Sequence, residues 1–427
     1  MFNKYYLVIV VVLALIIPSV SFAHSAHDGG VKDVPMLHAP ASIGGGFEMR
    51  DVDDGLTEAG VASLNEAVIK VEAGRSVIKV LIAALLIALV AFIVRLRPGV
   101  QNVLLKNFRS VGFLIGALVL SMLLLITITG MVLSLFYLPF PEYAYQSIQN
   151  IIAVPLVSYI RNLHYWASDL LLVLLLLHVS RLVFTKVVDK QKRIAYWTGL
   201  PMFVIVALAL LFGTFLRSDQ EAFEAYAHFW VGVAEYLPWG ISHIAAFFGD
   251  GSMALMRFYV SHAILLPTGL LILLAAHAML ARSFKGLTKQ VGVVLHSVIT
   301  AAEKVKKRKF RFHQLRVWGY ATAVLWSITA LLAIVPAPFM SAPYNGLEVT
   351  KPPWYLLWVY GFENVWGMKM IVLAPLVLLI LLIILPYFSK ENKTMDAATI
   401  GFVVVCVVIV VLSLMAALGS PVSHLSM

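Results

Sequence analysis

Apolar runs of about 20 residues, each long enough to cross a bilayer as a helix, recur along the chain between short polar stretches. Eight spans are expected, over 77–94, 111–135, 158–181, 197–215, 257–282, 318–334, 368–387 and 398–418. Between 286 and 316 the pattern changes. Val291, Val294, Leu295, Val298, Ile299 and Ala302 recur at helical spacing and run into KVKKRK at 304–309, which predicts a basic amphipathic helix lying on the membrane surface. At the start, one lysine, an apolar run over 7–17 and the small residues Ser21 and Ala23 read as a secretory signal over 1–23, with an uncleaved anchor as the alternative. The segment 24–75 that follows is polar and acidic. Its His24, His27 and His38 are a metal site only on the sharper of two readings, solvated side chains being the other.

Charge sets the direction of the spans. Arg95, Arg97, Lys106 and Arg109 mark one inner turn, Lys186, Lys190, Lys192 and Arg193 the next, and Arg282, Lys285 and Lys289 a third. The formal charge of +10 is therefore read as topology, with lipid and not nucleic acid as the partner it implies. On this reading the chain is a multi-pass protein of a bacterial inner membrane, and its C-terminus is periplasmic. A hydrophobic content of 61% and a mean hydropathy of +0.91 exclude a soluble protein. The only cysteine, Cys406, lies in an apolar run, which excludes a disulfide framework, a cysteine-ligated cluster and a CxxCH haem attachment. Any iron-sulfur or c-type centre has to come from a partner subunit.

Four histidines inside the apolar runs need an explanation, because ionisable groups in a membrane are costly. His164 and His178 are 14 residues apart in one span, which at about 100° per residue brings both rings to nearly one face, about 21 Å apart along the axis. His262 and His277 are 15 apart in another, with an offset of about 60°. By the parity of the spans both helices run inward. His164 is thereby level with His262 near the outer face, and His178 with His277 near the inner face. Two neutral imidazoles at each of two depths suit two haem b groups, each iron held by one histidine from each helix and so confined to electron transfer. A proton relay is the competing reading, as in a proton-coupled transporter; it lacks the broken midplane helices such folds carry.

Gly116 and Gly130, and again Gly199 and Gly213, are 14 apart on the two neighbouring spans. Glycine serves ordinary close helix packing in membranes; the sharper expectation is a missing side chain beneath a flat macrocycle at each level.

RNLH at 161–164, HVSR at 178–181, RFYVSH at 257–262, the four glycines and PPWY at 352–355 together resemble the cytochrome b of quinol-oxidising bc-type complexes. The 15-residue interval, with Arg282 five residues beyond His277, is more similar to the photosynthetic complex, whose haem half is here fused to a C-terminal three-helix half. The resemblance implies an all-α polytopic fold: a four-helix di-haem bundle over 107–285, a linker over 286–315 and a three-helix unit over 316–427, with one extra transmembrane helix over 76–98. It implies that Arg161, Arg181 and Arg257 meet haem propionates, their alternative being to snorkel to the interface. It also implies that Arg282 faces a quinone or a haem edge, and that Pro353, Trp354 and Tyr355 belong to a quinol-oxidation site. Iron-sulfur or c-type cytochrome subunits are the implied partners, with a homodimer compatible. Two departures stand out. Pro353 replaces the acid of the usual PEWY and cannot transfer a proton, and Arg217, Ser218, Asp219 and Gln220 stand where the family has PWG. Glu142, Asp219, Glu348 and Glu363 are the external carboxylates that remain as acceptors. A haem-bearing anchor for a periplasmic dehydrogenase or reductase is the alternative function.

Overall fold

The computed structural model describes residues 57–95, 98–185, 190–236, 253–293, 301–344, 347–390 and 396–422. The expected signal segment, His24, His27 and His38 lie outside them. The described helices are α1 (Glu58–Arg95), α2 (Pro98–Leu133), α3 (Pro141–Ala153), α4 (Pro155–Phe184), α5 (Lys190–Phe215), α6 (Gln220–Tyr236), α7 (Ala254–Val260), a π-helical turn (Ser261–Leu265), α8 (Leu266–Val293), α9 (Ala301–Leu332), α10 (Leu357–Trp366), α11 (Met370–Ile384), a 3-10 turn (Leu385–Phe388) and α12 (Ala397–Leu418). No strand forms among the described residues.

Among the described residues, seven helices are long and apolar enough to cross a membrane: Leu114–Leu133, Pro155–Phe184, Arg193–Phe215, Ala254–Met279, Leu315–Leu332, Met370–Phe388 and Ala397–Leu418. The eighth expected span, 77–94, is continuous helix within α1. Leucines, isoleucines and valines point outward on α8, α11 and α12, among them Leu271, Ile272, Val377, Ile380 and Val404, as a lipid-facing surface requires. Three expected loops contain helices of their own, α3, α6 and α10, because each is amphipathic and buries one face on the bundle. The basic stretch 304–309 belongs to α9, which runs unbroken into a span, and 286–293 prolongs α8. Lysine and arginine are good helix formers, and no proline or glycine interrupts 301–318.

In lipid, helices associate by close packing and buried polar ties. Helix α2 packs on α4 and α5 on α8, while α1 lies between α4 and α12. One carboxylate joins three parts of the molecule. Asp169 on α4 pairs with Lys79 of α1 at 2.7 Å, and its other oxygen accepts from the indole Nε1 of Trp354 at 2.7 Å. The Lys79 ammonium also sits 4.9 Å from the ring centres of both Tyr165 and Trp166. Removing either partner of such a pair leaves a buried charge, a loss of roughly 3–5 kcal/mol. Helix α1 is thus tied into the bundle by side chains.

Above the histidine helices a polar layer joins α6 to the segment 340–350. Asp219 caps α6 by accepting from Ala222 N at 3.0 Å, and it also accepts from Met340 N at 2.9 Å and from Arg217 at 2.5 Å. Glu224 accepts from Val349 N, Thr350 N, Thr350 Oγ1 and Gln220 Nε2, at 2.6–2.9 Å. The RSDQ sequence that stands in place of PWG is structural here. It satisfies a stretch of extended backbone that has no ladder of its own.

Candidate functional site

All four histidines face the interior of the bundle formed by α2, α4, α5 and α8, and their neighbours fix their levels. A Cβ added at Gly130 would lie 3.2 Å from His164 Cε1, and one at Gly213 would lie 2.9 Å from His262 Cε1. The corresponding distances are 3.5 Å from Gly116 to His178 and 3.8 Å from Gly199 to His277. Helix α2 meets the two histidines of α4 in reverse order, and α5 meets those of α8 in the same way. The histidine helices are therefore parallel to each other and antiparallel to the glycine helices. His164 and His262 share one level, their ring centroids 6.2 Å apart. His178 and His277 share the other, within electrostatic reach of each other. What each absent glycine side chain would strike is an imidazole, so the expected cradle accommodates the ring of a histidine.

The unequal histidine intervals are reconciled by the backbone. Residues Ser261–Leu265 form a π-helical turn in which Leu266 N bonds Ser261 O, a five-residue step in place of four. Such a turn takes up one extra residue, so the 15-residue interval on α8 presents its rings as a 14-residue interval does on α4. Pro267 follows at once, and its missing N–H already interrupts the ladder at that point.

Hydrogen bonds orient three of the rings. Thr129 Oγ1 donates to carbonyls of its own helix at 2.9 and 3.0 Å, so toward His164 Nδ1, 3.0 Å away, it acts as acceptor. Thr198 likewise donates to Ile194 O and Ala195 O and accepts from His277 Nδ1 at 2.8 Å. His262 Nδ1 donates to Ala209 O at 2.9 Å. Each of these rings keeps its proton on Nδ1 and leaves the lone pair of Nε2 for a ligand. His178 differs: its Nδ1 is buried without a hydrogen-bond partner. Sequence reading missed Thr129, Thr198 and Ala209, although the two Thr-Gly dipeptides at 129–130 and 198–199 carried a signal.

The other expected site residues are distributed more widely. Arg161 donates to Ala337 O and Pro338 O at 3.2 and 2.7 Å and stacks over Phe339. Arg181, in the last turn of α4 beside His178, and Arg257, on α7, are half-buried. Arg282 lies on α8, and its side chain is outside the described set.

Against this bundle lies a cavity of about 1150 Å3, walled by apolar side chains of α1, α4, α5, α11 and α12. Pro352, Trp354 and Tyr355 line it, and Pro353 does not. Tyr355 Oη is held by Thr214 Oγ1 at 2.6 Å and by Leu210 O at 3.1 Å. The polar end of the cavity carries Glu221, Glu224, His228 and Glu363. There His228 is gripped from both sides, Nδ1 on Glu363 Oε1 at 2.7 Å and Nε2 on Glu348 Oε1 at 2.5 Å. Burial pulls the imidazole down, but the two carboxylates outweigh it and raise it to about 9. Nothing in the sequence pattern joined His228, Glu348 and Glu363: helices α7, α8 and α9 lie between the histidine and the two carboxylates.

Fold and site define a polytopic helical protein with paired histidines at two depths between parallel helices. The family model described as cytochrome b/b6/petB matches residues 100–285, the part that carries all four histidines and all four glycines. Cytochrome b6 of Heliomicrobium gestii is 30% identical over 183 residues, covering 40% of this chain and 83% of that one. The menaquinol:cytochrome c reductase cytochrome b subunit of Geobacillus thermodenitrificans is 27% identical over 184 residues, 41% of this chain and 81% of that one. A solved chain of a hyperthermophilic respiratory complex III aligns at a TM-score of 0.49 and 21% identity, over 72% of this chain and 87% of that one. The chain belongs to the cytochrome b/b6 family, whose members carry haem b.

Proposed function

We propose that the chain is the di-haem cytochrome b subunit of a quinol:acceptor oxidoreductase of a bacterial inner membrane. The observation that carries this reading is the repetition of one arrangement, a histidine against a glycine, at two levels on two parallel helices. The residues present fit haem. The rings of His164 and His262 stand 6.2 Å apart by their centroids, each with Nδ1 engaged and Nε2 left as a donor to a metal. Three Nδ1 protons are taken up by protein acceptors, and the imidazole of His178 has a buried nitrogen awaiting a role.

His164 and His262 would hold one haem, His178 and His277 the other, with Gly116, Gly130, Gly199 and Gly213 leaving room for the four rings. Haem, once bound, supplies a reversible one-electron couple. Arg181 and Arg257, together with Arg161 where it exchanges its carbonyl partners, neutralise propionates. The apolar cavity takes the quinone, with Trp354 and Tyr355 as its aromatic wall and Pro353 shaping the loop behind them; Arg282 serves the opposite side of the membrane. A relative whose name specifies menaquinol supports a quinol as the reductant. Iron-sulfur or c-type cytochrome subunits complete the path, because this chain has one cysteine. The basic clusters between spans support an inner face at the His178 and His277 end. That Pro353 stands where the family has an acid favours a second reading, in which the chain accepts electrons from a dehydrogenase and delivers them to quinone.

A redox difference spectrum of the purified chain tests the proposal. Two low-spin b-type components with separate potentials are expected, and His178→Ala should remove one and spare the other. A chain that inserts normally but stays colourless with ample tetrapyrrole supply ends the proposal.

A further inference from the structure

A hydroquinone becomes a quinone by losing two protons with its two electrons, and hydrocarbon walls can accept neither. Of the carboxylates at the polar end of the cavity, Glu224 is saturated by four donors and Glu221 is clamped by Arg217 at 3.0 and 3.1 Å. Glu363 differs in that its partner is an imidazole, which can itself carry a proton onward. The far nitrogen of that ring meets Glu348, which does not line the cavity. Sequence, cavity and cluster coincide in one place, beside the loop where an acid has become Pro353.

We propose that Glu363, with His228 behind it and Glu348 beyond, is the proton acceptor for a hydroquinone bound in this cavity. The assignment rests on the quinol reading above. The hydroquinone O–H bond breaks; its proton goes to the Glu363 carboxylate, and its electron goes to the one-electron acceptors of that reading, a haem of this chain and an external redox partner. The second proton and electron follow the same routes once the first proton has passed through the ring nitrogens of His228 to Glu348. Raised to about 9, the imidazole is cationic near neutrality, and the two carboxylates on either side of it leave the trio room for both protons. Among the described residues, the other titratable groups facing the trio are Tyr360 of α10, whose ring centroid lies 6.4 Å from that of His228, and Glu224 of α6. A purely structural role, tying α6 to α10, is the competing explanation.

The test uses the full haem-loaded chain in liposomes, with a short-chain naphthohydroquinone as probe and rapid-mixing absorbance of the haem as readout. Glu363→Gln should slow haem reduction about a hundredfold at neutral pH, the scale of a lost general base, while dithionite still gives the wild-type reduced spectrum. The defect should shrink as pH rises, because an ionising hydroquinone no longer needs a base. Glu363→Asp should recover much of the rate. In the infrared difference spectrum, adding the probe to the wild type should raise a protonated-carboxyl carbonyl band that Glu363→Gln lacks. A wild-type rate in Glu363→Gln overturns the proposal, a wild-type rate in His228→Asn overturns the relay behind it, and a defect of equal size at every pH, which marks a tether, overturns both. If Glu363→Gln does not assemble, absence of the infrared band in the wild type overturns it instead. A wild-type chain that dithionite reduces but the hydroquinone does not sinks the quinol reading, and the relay with it.

Discussion

The two histidine levels use the same parts and differ in tightness. At the His164 and His262 level both rings donate from Nδ1, and the facing glycines stand at 3.2 and 2.9 Å from the ring carbons by their absent side chains. At the His178 and His277 level those distances are 3.5 and 3.8 Å, and one of the two Nδ1 atoms has no partner. The tighter level also lies beneath the polar layer built on Asp219 and Glu224, and it contains the π-helical turn. Repetition of a motif along a pair of helices therefore does not make equal sites. The surrounding hydrogen bonds and packing set how firmly each ring is held, and with it how a metal bound at that level would be tuned.

Glycine-to-alanine substitutions should separate the levels most strongly. In Gly213→Ala the new methyl meets His262 Cε1 at 2.9 Å, so the ring has to turn and its bond to Ala209 O is lost. Loss of one b-type component and a fall in haem per chain to about half are expected, read by haemochrome assay and redox titration. Gly130→Ala, at 3.2 Å, should weaken the same component without abolishing it. Gly199→Ala, at an ordinary contact distance of 3.8 Å, should leave both components in place. If Gly199→Ala proves as damaging as Gly213→Ala, the difference in tightness is illusory and the macrocycle itself must fill the space at each glycine.

Smaller effects should follow from the threonines. Thr129→Val and Thr198→Val keep the side-chain shape but remove the acceptor for one ring proton each. The loss of such an outer-shell partner typically weakens metal affinity by about 10–100-fold. Haem-release kinetics to an apo-globin acceptor should assign Thr129→Val to the first level and Thr198→Val to the second. A common effect on both components would show that the levels are coupled through the backbone.

How much of this was written in the sequence depends on distance along the chain. The spans, the direction of the histidine helices and the pairing of levels follow from hydropathy, basic clusters and intervals of 14, all local or periodic signals. The π-helical turn was half visible, since an interval of 15 against 14 demands one extra residue somewhere, but only the backbone shows that it falls at 261–265 beside Pro267. The three loop helices were hidden because their apolar faces are short. The trio of His228, Glu348 and Glu363 was invisible as a unit: its members are 120 and 135 positions from the histidine, and no periodicity links α6 to α10 across that gap. Asp219, expected as a free external acid, has its oxygens committed to a helix cap and a neighbouring strand of loop.

The subtlest test adds what one ring lacks. Thr129 and Thr198 each directly precede the glycine that faces their histidine, whereas Gly116 is preceded by Ile115. On α2, position 115 stands to Gly116 and His178 as 129 stands to Gly130 and His164, fourteen residues and nearly four turns away. Ile115→Thr should therefore bring a hydroxyl to His178 Nδ1, with the hydroxyl hydrogen satisfied by a carbonyl one turn back, as at Thr129. An oriented, more basic imidazole stabilises the oxidised metal, so the second-level component alone should shift to lower potential and release haem more slowly. The change should be smaller than that of either valine substitution, because it fills one unmet bond without moving the ring. A shift in the first-level component would break the equivalence of positions on which the comparison stands.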